Sequence, residues 1–218
     1  MNERMSLGKD LELIEDEKVI KVIEALKRRK ISCHYFDMTQ ALLDYLIKKV
    51  NGKSVGVGDS MTFEEIGLYD FLRRHSGRFL DKYDQNLSKA DKQLLYRENF
   101  SAEVFFSGIN ALSLSGKIYN LDGNGSRVAP IIYGPGKVFL ICGTNKICES
   151  DEAAVLRVRQ YAAPKDAVRL NKNTPCAITG KCVDCRSADR ICNYMTILEG
   201  QFDPHRIEVI LLKGDYGY

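Results

Sequence analysis

The chain has 218 residues, 44% hydrophobic and 28% charged, enough for one sizeable core with a small appendage. Its formal net charge of +3 is too small to imply a nucleic-acid surface, and no basic run is interleaved with aromatics. The longest apolar stretches, such as VFLIC at 138–142, are strand-sized rather than membrane-sized, so a soluble cytoplasmic protein without a membrane partner is expected.

From Leu11 to Arg29, apolar residues recur at Leu11, Leu13, Ile14, Val19, Ile20, Val22, Ile23 and Leu26, a helical stripe among charges. ISCHYF at 31–36 reads as a strand, and Thr39 to Val50 as a second helix with Leu42, Leu43, Leu46, Ile47 and Val50 on one side. KSVGVG at 53–58 is an apolar run ending in glycine, followed by Asp59, Ser60 and a Thr62…Glu65 spacing that matches a capping box. That is strand, loop, helix. The polar segment 68–101 offers one further helix start at Ser88…Asp91, ahead of Leu94, Leu95 and Tyr96.

EVFFSG at 103–108, ALSL at 111–114 and KIYNL at 117–121 read as strands, with Gly116 turning between the last two. A helix is predicted from about Asn124 to Tyr133, then a strand over KVFLICG at 137–143. Asp151 and Glu152 open another helix, their charges near its positive end, and it is expected to stop before Pro164. MTILEG and RIEVILL supply two final strands after a cysteine-rich insertion at 174–192. Strands alternating with helices predict one α/β domain over 1–218 with a mostly parallel, Rossmann-like sheet.

In such folds ligands sit outside the carboxyl ends of the strands, where loops enter helices. GVGDSMT and LDGNGSR both qualify. Their glycines let backbone approach a ligand, and free N–H groups at a helix start favour an anion. Arg127, one turn in, could hold a carboxylate or phosphate through two parallel hydrogen bonds. On composition alone an ordinary turn fits the same residues, because glycine-rich loops are common.

GVGDSMTFEEIG, then VFFSGINALSLSGKIYNLDGNGSRVAPIIYGPGKVFLICGTNKI, then YAAPKDAVRL and TPCAITGKCVDCRSADRICN resemble the LUD (lactate-utilisation) domain family in its stand-alone, cysteine-bearing form. The resemblance runs over nearly the whole chain. It implies a fold similar to the ribose-5-phosphate isomerase, glucosamine-6-phosphate deaminase and CoA transferase superfamily, flanked by helices and with a glycine-rich first loop. It places Gly56, Gly58, Asp59 and Ser60 in that first loop. Gly108 and Asn110 fall in the family's middle turn, and Asp122, Gly123, Asn124, Gly125 and Arg127 in its central motif. Asn145 and Lys146 then follow the next strand.

Corresponding loops of the sugar-phosphate isomerases bind phosphate. The acid-rich turn of those enzymes is replaced here by GINAL, and no glutamate follows the glycine-rich loop. Asp122 and Glu64 are the carboxylates left for acid–base work. Family members sit in operons that oxidise L-lactate beside iron–sulfur subunits, so the resemblance implies iron–sulfur or dehydrogenase partners. It assigns no nucleotide cofactor.

Seven cysteines in a cytosolic chain are expected to be mostly reduced thiols. Cys176, Cys182, Cys185 and Cys192 include a CxxC with two further thiols at loop distance. That pattern can complete a four-sulfur site for zinc or for an iron–sulfur cluster. Between Lys165 and Cys192 lie six basic residues (Lys165, Arg169, Lys172, Lys181, Arg186, Arg190) against three acidic (Asp166, Asp184, Asp189), an excess equal to the chain's +3. Cys142 reads as core, and the three histidines make no catalytic arrangement.

Two functions remain open. One is a subunit or enzyme in oxidation of lactate or a related acid, binding a small anion at the glycine-rich loops. The other is a non-catalytic accessory protein, with the cysteine loop as a metal knuckle or docking element.

Overall fold

The computed structural model describes residues 14–218; the start of the helix expected from Leu11 lies outside the described residues. From Glu17–Arg28 (α1) that helix forms as its stripe requires. Val19, Val22, Ile23 and Leu26 are buried along one face, and the Asp16 carboxylate caps the first turn by accepting from the Lys18 and Val19 amides. β1 (Ser32–Phe36) and α2 (Thr39–Val50) follow, the latter burying Leu42, Leu46 and Val50 one turn apart. Then come β2 (Ser54–Val57), the short α3 (Met61–Glu65), α4 (Leu68–His75), β3 (Arg78–Phe79) and α5 (Lys89–Glu98). β4 (Val104–Gly108), β5 (Ala111–Ser113), β6 (Ile118–Asp122), α6 (Val128–Ile132) and β7 (Lys137–Gly143) form the middle of the chain. It ends with β8 (Ile147–Cys148), α7 (Asp151–Arg157), α8 (Ala163–Arg169), α9 (Pro175–Thr179), β9 (Tyr194–Leu198) and β10 (Ile207–Leu212).

Six strands form an all-parallel sheet in the order β1-β10-β7-β4-β2-β3. The central strands are apolar on both faces, as a sheet covered on both sides needs. Phe105, Val138, Leu140, Cys142, Val209 and Leu211 pack toward α1 on one face. Val104, Phe106, Phe139, Ile141, Ile210 and Leu212 pack toward α2 and α4 on the other, where the Phe106 and Phe139 rings stack at 5.1 Å. Among the described residues no helix is long and apolar enough to cross a membrane.

β8, β5, β6 and β9 form a second sheet; the sequence reads ALSL, KIYNL and MTILEG as strands but does not separate them from the main sheet, and the two-residue β8 is too short to give a pattern. Its β5–β6 hairpin turns at Gly116, whose φ of +79° and close approach to the Ala25 backbone exclude a side chain. β9 runs antiparallel to β6, with Tyr194 opposite Asp122, so the end of the cysteine loop meets the NLDGNG loop.

Two expectations are corrected. The Thr62…Glu65 capping box does not form: Ser60 precedes α3 without a side-chain cap, and the Thr62 hydroxyl donates to the Tyr216 carbonyl instead. The capping box at Ser88 and Asp91 does form. The helix from Asp151 passes Pro164, through a π-turn at Val158–Ala162 into α8, where the proline lies in a first turn that asks little of its missing N–H.

At the far end of the sheet Glu208 is buried on β10, with Lys137 Nζ 2.7 Å from one oxygen and the Tyr45 hydroxyl donating to the other. Burial raises its pKa, but the bonds from Lys137 and Tyr45 outweigh it and the net shift is downward. A depressed carboxylate contributes stability above its unfolded pKa and loses it as pH falls through the folded value. Lys137→Met strips the cation from a buried carboxylate, so it is expected to cost roughly 2 kcal/mol at neutral pH, discounted for the partial exposure of Lys137. The deficit should shrink in acid, below about pH 4, which urea titrations at pH 7 and at about pH 3 would read.

Candidate functional site

The carboxyl ends of β2, β4 and β7 open on one cavity of about 540 Å³. Asp59 and Ser60 reach it from the loop after β2, Asn110 from the end of β4, and Lys146 from the turn after β7. Asp122, Gly123, Asn124 and Arg127 form another wall; Arg169, Arg190 and Tyr218 complete the rim. The two glycine-rich loops therefore lie at the same edge of the sheet, as parallel α/β topology dictates.

Glycines let the loops come so close. A Cβ on Gly58 would stand 2.7 Å from Cγ of Arg127, and one on Gly108 2.5 Å from the Ser60 hydroxyl. Gly125 has a φ of +86°, turning the loop into α6. Gly58 and Gly125 shape the loops, but they do not line the cavity.

Arg127 points inward and is 8% exposed. Its terminal nitrogens are committed to the protein. Nη1 donates to the Gly108 carbonyl at 3.3 Å and to Asn120 Oδ1 at 2.8 Å; Nη2 donates to Asn110 Oδ1 at 2.9 Å and to the Leu121 carbonyl at 2.8 Å. The guanidinium thus ties β4 to β6, and the sequence reading of a two-pronged anion clamp gives way to a structural fork whose charge still faces the cavity. Asp122 is equally engaged: its oxygens accept from the amides of Gly123, Arg127 and Val128. As a proton-transfer group it would have to release those amides. Glu64 is not brought to the cavity at all. It is exposed on α3 beside a separate surface depression with Asp70 and Arg73, because α3 buries Thr62 and Phe63 and the next residue turns outward.

Two charged groups are left to face a ligand. Asp59 Oδ1 receives Lys82 Nζ at 2.8 Å and the Tyr83 hydroxyl at 2.6 Å, while no protein donor bonds its other oxygen among the described residues. Burial raises its pKa, yet the Lys82 ammonium and these bonds hold it below the usual carboxylate range. Tyr83 in turn touches the Tyr69 hydroxyl, which accepts the Ser60 amide. Lys82, 6% exposed, and Tyr83 escaped the sequence reading because they sit in a polar loop without periodicity; the Lys-Tyr pair inside it is the signal that could have found them.

Lys146 is 3% exposed, and among the described residues its ammonium has one partner, Thr62 Oγ1 at 3.1 Å. No carboxylate pairs with it among the described residues. Burial pushes its pKa down to about 8, with Arg157 and Arg127 lowering it further against Cys142 and Glu65. At the rim, Arg169 binds Asp166 Oδ1 at 2.7 Å and reaches the Tyr218 hydroxyl at 2.7 Å, so that cation is already neutralised. The amides of Asn124 and Gly125 have no protein acceptor among the described residues.

Cys33, Cys142 and Cys148 are buried in the strands, as Cys142 was expected to be. Cys176, Cys182, Cys185 and Cys192 are free, half-buried and line one small cavity of about 20 Å³. Among the described residues, however, no three Cys, His, Asp or Glu side chains converge as a single-ion site.

The sequence model of the LUD domain matches residues 19–212. The crystal structure of a DUF162 family protein from Deinococcus radiodurans has the same fold, with a TM-score of 0.53 over 90% of this chain and 96% of that chain at 13% identity. eIF2B beta from Chaetomium thermophilum, 16% identical over 61% of this chain and 43% of that chain, reaches a TM-score of only 0.30. No curated protein matches.

Proposed function

This chain belongs to the LUD domain family, and on that footing we propose that it binds a small organic anion of the lactate class in the cavity at the carboxyl edge of the main sheet. One observation carries the reading: among the described residues Lys146 is a buried ammonium with a single neutral partner, and it lines that cavity. Burying a charge without a counter-ion is costly. The cost is offset when a ligand brings the missing anion.

The second charged group gives the ligand its shape. Asp59, held ionised by Lys82, has one oxygen without a protein donor among the described residues, placed to accept a hydroxyl proton. A 2-hydroxy acid offers a carboxylate to Lys146 and a hydroxyl to Asp59, and the amide of Asn124, without a protein acceptor among the described residues, supplies a further donor to the carboxylate. The binding role is better supported than a catalytic one, since Asp122 and Arg127 are both bonded into the protein. This favours a binding or accessory part in lactate utilisation, alongside partners that carry the redox chemistry.

Titration with L-lactate, pyruvate, inorganic phosphate and lactamide, followed by thermal shift, tests the reading. Saturation at about 100-fold Kd adds roughly 2.7 kcal/mol, so L-lactate should raise the midpoint by several degrees and uncharged lactamide should not. Equal shifts with lactamide, or none with any acid, would contradict it.

A further inference from the structure

We propose that Cys176, Cys182, Cys185 and Cys192 form a four-thiolate site for a thiophilic metal centre, built into the wall of the anion cavity. The four line a single small cavity whose other walls include Ala163, Ala167 and Val183. Soft sulfur donors in such a set suit zinc or an iron–sulfur centre.

The loop is built as a loaded loop would be. Between α9 and β9 the chain runs from 180 to 193 without helix or strand, and no disulfide staples it. Irregular segments of this length seldom hold one shape unaided. One side chain gathers it: Arg190 donates to the carbonyls of Cys185 and Cys192 and pairs with Asp184 at 2.9 Å. Asp184, inside the CxxC, adopts the left-handed region at φ +47°, so the turn brings Cys182 and Cys185 round the same cavity. The thiols ring the cavity rather than meeting at a point, so loading draws them inward.

The site is joined to the anion cavity. Arg190 and Ile191 line both spaces. The Asn193 amide donates to the Asp122 carbonyl at 2.9 Å, and its side chain donates to the Gly123 carbonyl at 3.0 Å. Moving the thiols therefore moves the wall that carries the NLDGNG loop, and the metal sets the shape of the anion site.

The test is metal analysis of protein purified without oxygen, then of protein offered either zinc sulfate alone or ferrous iron with sulfide. About one zinc per chain, or iron and sulfide in equal amounts, is expected, with these four thiols protected from alkylation on loading. The two arms tell the metals apart. Cys182→Ser with Cys185→Ser should lower metal content at least tenfold, while Cys148→Ser should keep it. Circular dichroism on each variant separates lost binding from lost fold. Protein that takes up neither metal, with all four thiols freely alkylated, overturns the proposal, as does a double variant that loads normally. Lactate binding is read separately, so a failed metal site and a failed anion site give different results.

Discussion

Arg127→Met is expected to lower the thermal midpoint on the order of 10 °C, the largest stability loss of any single change at the cavity. The guanidinium donates to four acceptors, the carbonyls of Gly108 and Leu121 and the side-chain oxygens of Asn110 and Asn120, the last on a residue that is 1% exposed. A thioether satisfies none of them. The Gly108 carbonyl keeps the Ser107 hydroxyl and Asn110 Oδ1 keeps the Leu121 amide, so the loss falls on Asn120 Oδ1 and the Leu121 carbonyl; at roughly 1–3 kcal/mol for each acceptor left bare, the sum is roughly 4 kcal/mol. For a chain of this size that is about 2–4 °C per kcal/mol. Arg127→Lys should recover little of the loss, because one ammonium cannot reproduce a planar fork spanning two strands. A midpoint within about 2 °C of the unaltered protein would mean that the fork is not holding β4 to β6.

That residue shows where the sequence stops being legible. NLDGNGSR advertised an anion loop, and the loop does reach the cavity; but whether an arginine holds a ligand or the protein depends on which carbonyls surround it, and those come from β4 and β6. Strands buried on both faces, such as KVFLICG, were legible at their full length because a continuous apolar run has one use in a covered sheet. The helix predicted from Asn124 was too long, since Asp122 accepts the amides of Arg127 and Val128 and delays the first turn of α6 to Val128. Tyr83, Arg169 and Tyr218 meet at the cavity from segments far apart in the chain, with Lys82 held against Asp59 beside it, and no local spacing reports such a meeting. The cysteine spacing suggested a four-sulfur metal site; the four thiols line one small cavity, but among the described residues no three of them converge as a single-ion site, which spacing along a loop cannot report.

Lys146→Met is expected to do the opposite of Arg127→Met: weaken lactate binding and leave the fold as stable or more so. A charge-assisted contact contributes roughly 1.5–3 kcal/mol, so affinity should fall by about ten- to a hundredfold. Stability should rise below pH 8 because the variant no longer buries an ammonium. The sign follows from linkage. The folded pKa of Lys146 lies at about 8, against about 10.4 in the unfolded chain, so the unfolded state binds the extra proton between those values. Its burden is therefore fully present below pH 8 and fades as pH rises to about 10.4. At roughly 1.4 kcal/mol per pH unit the span is about 3 kcal/mol at most. An anion needs the ammonium, so lactate affinity should begin to fall as pH passes 8, and the variant should lack that dependence.

The most direct measurement is isothermal titration of L-lactate into the unaltered protein and into Lys146→Met at pH 7 and pH 9, with the thermal midpoint of each recorded under the same conditions. Binding that is present at pH 7, weaker at pH 9 and lost in a variant at least as stable is the predicted result. Binding that is equal in both proteins, or unchanged between the two pH values, would contradict an anion site built on Lys146.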